Sequence, residues 1–340
     1  MIFLVAEAEA APVEAIAFGS CLDERKRQPI WRAVWAAQPA AFFFLGDNVY
    51  GDSDDPAVLK AAWDRLGSRK DFQRFRESAP VFGTWDDHDY GRNDAGVEFP
   101  AKAESRKLFL DFFEEPDDST RRTQEGGIYT EVRFDEPDGS VQVLLLDDRW
   151  SRTSLVLADE DKGLGPGPYL PNPDPAARML DEAHWAWLVE QLAEPADVRL
   201  IGSSTPVLPE FTGWETWANF PRERARLLDL VSNVGGAVFL SGDTHWHELS
   251  AVVHQGVNLW ELGSSGMTHV YKDIADNRNR YAGHAIAERG FGVVRFDWER
   301  RAISLEVHGV DGRAVLAHEI GMDGSDLLPV PTAENEEESI

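Results

Sequence analysis

Cysteine is almost absent from this 340-residue chain: Cys21 stands alone, so no intrachain disulfide can form. That leaves a reducing cytosol and disulfide-free export both open. Basic side chains are scarce, 33 Lys and Arg against 60 Asp and Glu, for a formal net charge of −27. A surface for a nucleic-acid duplex or an anionic lipid would be basic, so no nucleic-acid partner is expected. No apolar run reaches the roughly 18 residues a spanning helix needs, so no stable membrane insertion is expected. The opening MIFLVAEAEAAP has no basic stretch before its short apolar start and does not read as a secretory signal. The chain as it stands reads as cytoplasmic, or as exported if a signal segment has been removed. Two signatures of other chemistries are missing as well. FGSCLD lacks the Gly-x-Gly-x-x-Gly spacing, and no Gly-x-Ser-x-Gly elbow occurs. These absences argue against a dinucleotide-dependent oxidoreductase and against a serine nucleophile.

What is present is an ordinary globular composition, 43% hydrophobic, with strand and helix signals in alternation. VEAIAF, AAFFFL and APVFGTW are short apolar runs that read as buried strands. Helical patterns over 29–37, 56–77 and 101–113 separate or follow them. GIYTEVRF and SVQVLLLDD read as longer strands joined by the turn signal DEPDGS. The Gly-, Pro- and Asp-rich stretch 151–175 reads as a surface loop, and 178–192 as a Trp-bearing helix. DVRLIGSS, a helix over 222–231 and GAVFLSGD repeat the alternation; HELSAVVHQG, VNLWELG, FGVVRFDW, AISLEVHG and AVLAHEI are all β-type. The pattern predicts an α/β chain with two packed sheets flanked by helices, in a single domain over 1–322. An acidic, disordered tail over 323–340 is expected to follow it.

Polar clusters sit just after four of the apolar runs. They are FGSC, FLGDNVY, GTWDDHDYG and VFLSGDTHWHE. Groups at the carboxyl ends of neighbouring strands converge on one sheet edge. The converging set is thiol, phenol, carboxylates and imidazole, which is metal chemistry. Taken singly, each has a plainer reading: Asp47 as a turn or helix cap, Cys21 as a small buried hydrophobe, His245 as a satisfied histidine and Tyr50 as a packed phenol. Arg149 in LLLDDRWSR could clamp a phosphate or pair with Asp147 or Asp148, and Arg92 poses the same choice. His247 could support a metal ligand or sit at the surface. Trp214 and Trp217 could form an aromatic wall or pack against the following helix. The loop over 162–175 could be a lid.

With FGSC, FLGDNVYGD, GTWDDHDYG, LLLDDRWSR and FLSGDTHWHE in this order, the chain resembles the PhoD-like alkaline phosphatase and phosphodiesterase family, a branch of the calcineurin-like metallophosphoesterases. The resemblance implies a four-layer α-β-β-α sandwich with a metal centre at the strand ends. It implies Fe3+ held by Cys21, Tyr50, Asp47 and Asp243, and Ca2+ against Asp47, Asp87, His245 and Asn93, with Asp47 as the bridge. From ligand chemistry alone Zn2+, Mn2+ or Mg2+ also fit. His88 takes the phosphate-facing slot. The histidine that the wider superfamily carries on an intervening strand has no counterpart near IGSSTPVLP, which leaves an oxygen-rich site. The implied reaction is hydrolysis of a small phosphate ester: metal-bound hydroxide attacks phosphorus in line, and His88 and Arg149 assist. Such a centre inverts the local charge argument, so the acidic total does not forbid an anionic substrate. A phosphodiesterase or phospholipase-D-like enzyme is the alternative within that chemistry. A catalytically inactive, metal-stabilised binding protein is the alternative from another class. The oligomeric state is left open.

Overall fold

The structure, a computed structural model, describes residues 13–136, 139–158, 167–210 and 213–326. The first sheet contains β1 (Ala15–Gly19), β2 (Phe42–Leu45) and β3 (Val81–Thr84). The second begins with the hairpin β4 (Thr130–Glu136) and β5 (Gly139–Leu145). A two-stranded ribbon follows, β6 (Val156–Leu157) and β7 (Tyr169–Leu170). Then come β8 (Val198–Ser203), β9 (Val238–Ser241), β10 (His247–His254), β11 (Val257–Ser264) and β12 (Arg280–Ile286). The last strands are β13 (Gly290–Asp297), β14 (Ala302–Gly309) and β15 (Ala314–Gly321). The helices are α1 (Ile30–Ala36), α2 (Pro56–Gly67), α3 (Lys70–Arg76), α4 (Asp87–Tyr90), α5 (Lys102–Phe112), α6 (Thr120–Thr123), α7 (Glu182–Ala193) and α8 (Pro221–Asn233). The first sheet runs β15-β14-β13-β1-β2-β3 and the second β12-β10-β11-β9-β8-β5-β4.

Side-chain alternation explains the layers. In β2, Phe42 and Phe44 face a core shared with Trp31 of α1, Trp63 of α2 and Phe109 of α5. Phe43 and Leu45 face the second sheet, against Val143, Leu200 and Leu240. On the far side, Leu144, Ile201 and Phe239 pack under α7 and α8. Strands buried on both faces must be apolar throughout, which is why AAFFFL reads as an unbroken run. The result is helices, sheet, sheet, helices: the four-layer sandwich.

Several boundaries differ from the sequence reading. The stretch 56–77 is two helices, because Arg69 is extended (ψ 116°) and its Nε donates to the Glu24 carbonyl at 3.1 Å. The Trp-bearing helix starts at Glu182, behind an Asp181 side chain that accepts from His184 N. The amides of Met179 and Leu180 turn instead to the Glu223 carboxylate. The stretch 151–175 carries the β6–β7 ribbon. Strand β12 has no counterpart in the sequence reading. It is a half-exposed strand at the sheet edge interrupted by positive φ at Ala282 and Gly283, so it lacks alternation. Residues 323–326, assigned to the tail by sequence, belong to the fold: Gly321 N donates to Ser325 O at 2.7 Å, and Asp326 bridges to Ile320. Residues 1–12, 159–166 and 327–340 lie outside the described residues. No helix among the described residues is long and apolar enough to cross a membrane.

The two sheets nearly touch at one end, at Gly242. A Cβ there would meet the Leu45 carbonyl oxygen at 2.5 Å and Ser20 Oγ at 2.7 Å. Backbone cannot yield cheaply, so Gly242→Ala is expected to cost about 1–3 kcal/mol by overpacking. A urea titration should show a lower midpoint with an unchanged slope.

Candidate metal centre

Parallel β1, β2 and β3 and β9 of the facing sheet end at this contact. Cys21 follows β1, Asp47 follows β2, Asp87 follows β3, and Asp243 and His245 follow β9. The chain turns sharply after each strand. Cys21 (φ 58°), Asp47 (φ 50°), Asp243 (φ 67°) and His245 (φ 60°) all take the left-handed region, which costs a side-chain-bearing residue about 1–3 kcal/mol and persists where surrounding structure enforces it. Gly46 (φ 92°) allows the β2 turn, and a Cβ on it would lie 2.4 Å from Asp86 Cβ.

Two groups of ligand atoms result. Cys21, Asp47 and His245 place one atom each within 4.8 Å of one another, and so do Asp47, Asp87 and His88. Among the described residues Asp47 is common to both groups. Cys21 Sγ lies 3.5 Å from Asp47 Oδ2, 3.0 Å from Ser265 Oγ and 3.7 Å from the Asp243 carbonyl oxygen. The Tyr50 hydroxyl donates to Asp47 Oδ2 at 3.1 Å. Asp87 accepts from the amides of His88 (2.9 Å) and Asp94 (2.6 Å). The His88 Nδ1 pairs with Asp52.

The electrostatics ask for positive charge. Burial first, and Asp47 second, push the Cys21 thiol and the Tyr50 phenol well up. Burial and neighbouring carboxylates, against the help of His88, do the same to Asp47. Burial with Asp86, Glu215 and Asp87 raises Asp243. Burial opposes the Asp87 charge too, but Arg149 and His88 outweigh it and hold that carboxyl low. Burial likewise opposes a charge on His88, yet Asp47, the Asp52 bond and Asp87 raise it to about 11. Burial and His269 lower His245 to about 3, leaving a neutral imidazole of the kind that binds metals. Asp47 Oδ1 and His245 Nδ1 are buried without a hydrogen-bond partner, and orphaned buried polar atoms are rare unless something occupies them. Crowded acidic donors, with Asp47 Oδ1 and His245 Nδ1 left unpartnered, fit cations.

The family model of the PhoD-like phosphatases matches residues 16–289. The chain belongs to this family. In fold, this PhoD-like phosphatase is similar to a solved PhoD structure, with a TM-score of 0.73 at 15% identity over 95% of this chain and 72% of that one. It is also similar to GAP50, the anchor in the inner membrane complex of Plasmodium (TM-score 0.59, 12% identity, 96% and 94% covered). A dimetal phosphatase from Danio rerio has the same fold (TM-score 0.55, 12% identity, 92% and 100% covered). No curated protein sequence matches the chain. This PhoD-like phosphatase is a metal-dependent hydrolase of phosphate esters, with His, Asp and Cys clusters suited to divalent or trivalent ions.

The structure redistributes some of the residues read from sequence. His245 groups with Cys21, not with Asp87. Asp243 belongs to neither group; it lines the cleft and offers Cys21 its carbonyl. Asn93 is exposed on the cleft wall. Arg149 does not line the cleft. It is fully buried, with Nε donating to Asp86 at 2.6 Å and Nη1 to Glu215 at 2.8 Å; Asp147 receives only its amide. Arg92 pairs with Asp54 at the surface. His247 is buried, with both ring nitrogens engaged by Ser264 (3.0 Å) and the Glu288 carbonyl (2.8 Å). Trp217 is core, whereas Trp214 faces the cleft. Pro168 and Tyr169 also line it, and Tyr169 reaches Asp94.

Sequence reasoning missed Glu215, Asp52, Ser265 and His269. Ser265 had a usable signal, since it follows apolar β11 as the other site residues follow their strands; His245 N donates to its hydroxyl at 2.7 Å. Glu215 had none. Its role comes from ion pairs with Arg149 and Arg152, partners fixed only by folding.

Proposed function

We propose that this PhoD-like phosphatase hydrolyses small phosphate esters, monoesters foremost and diesters as a second activity, with a ferric ion and calcium as its resident cations. The observation that carries this reading is Asp47, common to both ligand groups. A carboxylate placed so can bridge two ions. Thiolate, phenolate and carboxylate around Cys21 and Tyr50 suit a trivalent iron. Asp87 and the Asn93 side of the cleft offer oxygen and suit calcium. Cations bound there supply Lewis acidity, offsetting phosphate charge and lowering the pKa of water.

The chain's own side chains do the rest. Asp52 holds the His88 ring by Nδ1, so Nε2 is the nitrogen left to donate to a phosphoryl oxygen or to the leaving oxygen. Arg149, braced between Asp86 and Glu215, fixes the segment that presents Asp87. The cleft, about 510 Å³, has room for a second ester arm.

Gently purified protein should contain iron and calcium and show a visible charge-transfer band. Tyr50→Phe or Cys21→Ser should shift or remove it. The phosphatase should turn over p-nitrophenyl phosphate faster than its bis ester. Protein that is active but free of iron and colourless would overturn the metal assignment, and a faster bis ester would overturn the substrate preference.

A further inference from the structure

Resting on this reading of the site, we infer that Trp214 and Tyr271 are specificity-determining residues, which select phosphate esters carrying a planar aromatic arm. Both line the same cleft as Asp47, Asp87 and His88. Both are exposed, Trp214 by 41% and Tyr271 by 55%. Twelve tryptophans occur in the chain, and among the described residues only Trp35 and Trp214 are exposed.

The backbone, not chance, presents these rings. Glu215 next to Trp214 is buried and ion-paired to Arg149 and Arg152. The Trp217 indole, three residues on, is locked into the core by donating to Ser203 Oγ at 3.1 Å. This anchored segment points one indole inward and leaves the other on the cleft wall. Elsewhere on the cleft lining, Tyr271 N donates to the His245 carbonyl at 2.9 Å, and the Tyr271 ring lies 4.4 Å from the His245 ring, centroid to centroid. An aromatic surface therefore begins at the cage itself. An apolar wall beside convergent polar groups is the ordinary form of a small-molecule site. Lys272, also on the wall, has no ion pair among the described residues, so a cation stands at the aromatic end of a cleft otherwise rich in carboxylates. A flexible aliphatic arm would gain area only, whereas a planar ring also stacks.

The test uses two probes with the same leaving oxygen on a primary carbon: adenosine 5′-monophosphate and ribose 5-phosphate. Base stacking on an aromatic side chain corresponds to roughly a 5- to 150-fold effect. The wild-type ratio of kcat/KM, nucleotide over sugar phosphate, should lie in that range. In Trp214→Ala and Tyr271→Ala it should fall at least fivefold, while Trp214→Phe should keep most of it. A wild-type ratio near one, or a ratio unmoved by both alanine variants, overturns the inference and leaves the phosphatase reading standing. No turnover of either probe overturns the inference, and no turnover of p-nitrophenyl phosphate as well by metal-loaded enzyme overturns both.

Discussion

Asp47→Asn should leave a folded protein that neither holds its cations nor turns over substrate. Asparagine keeps the shape of the side chain but removes the charge shared by both ligand groups and places an N–H where an acceptor is needed. Lewis-acid stabilisation is worth several kcal/mol, so kcat/KM should fall by roughly 10³-fold or more. The stability effect has the opposite sign for the metal-free protein. Burial raises the Asp47 pKa in the fold above its unfolded value, so its negative charge destabilises the metal-free fold at neutral pH. Removing that charge should keep or raise the metal-free Tm. It should also abolish the rise in Tm that cations produce by binding only the folded state. Calorimetry with and without iron and calcium, beside metal analysis, reads both. Retained metal together with retained turnover would remove Asp47 from the centre.

His88→Ala should separate catalysis from metal binding. His88 shares a ligand group with Asp47 and Asp87, so geometry alone would allow it to bind an ion. Charge argues otherwise. Against burial, Asp47, the Asp52 bond and Asp87 raise its pKa to about 11 in the metal-free protein, and its Nδ1 is already taken by Asp52, so the ring is set to hold a proton rather than an ion. Its work is on the anion. Losing a positioned acid typically costs about 10²–10⁴ in rate, and that loss should fall on kcat with metal content unchanged. Metal leaving with the side chain would instead make His88 a ligand. Asp52→Asn should give a smaller loss in the same direction, because Asp52 orients the ring rather than touching substrate.

How much of this was legible beforehand differs from residue to residue. Phe42–Leu45 could be read as a strand buried on both faces because every side chain in it is apolar, a local property. The clusters holding Cys21, Asp47, Asp87 and His245 could be picked out because each follows such a run: neighbouring parallel strands end together, and β9 of the facing sheet ends at the same place. Arg149 could be picked out but not assigned. Its two uses, clamping a substrate or pairing inside the protein, look identical along the chain. Glu215, 66 positions away, decided between them.

The sequence by itself determined the layers, the order of the strands' polar ends and the lack of a partner for an intrachain disulfide or of an apolar run long enough for a spanning helix, since periodicity and composition act over neighbouring residues. Only the tertiary structure decided that His245 stands with Cys21 rather than with Asp87, that Arg149 is an internal brace, and that Trp214 and Trp217 point to opposite sides. Those outcomes depend on distances between residues far apart in the chain. Burial makes each buried charge take whatever partner the packed sheets bring to it.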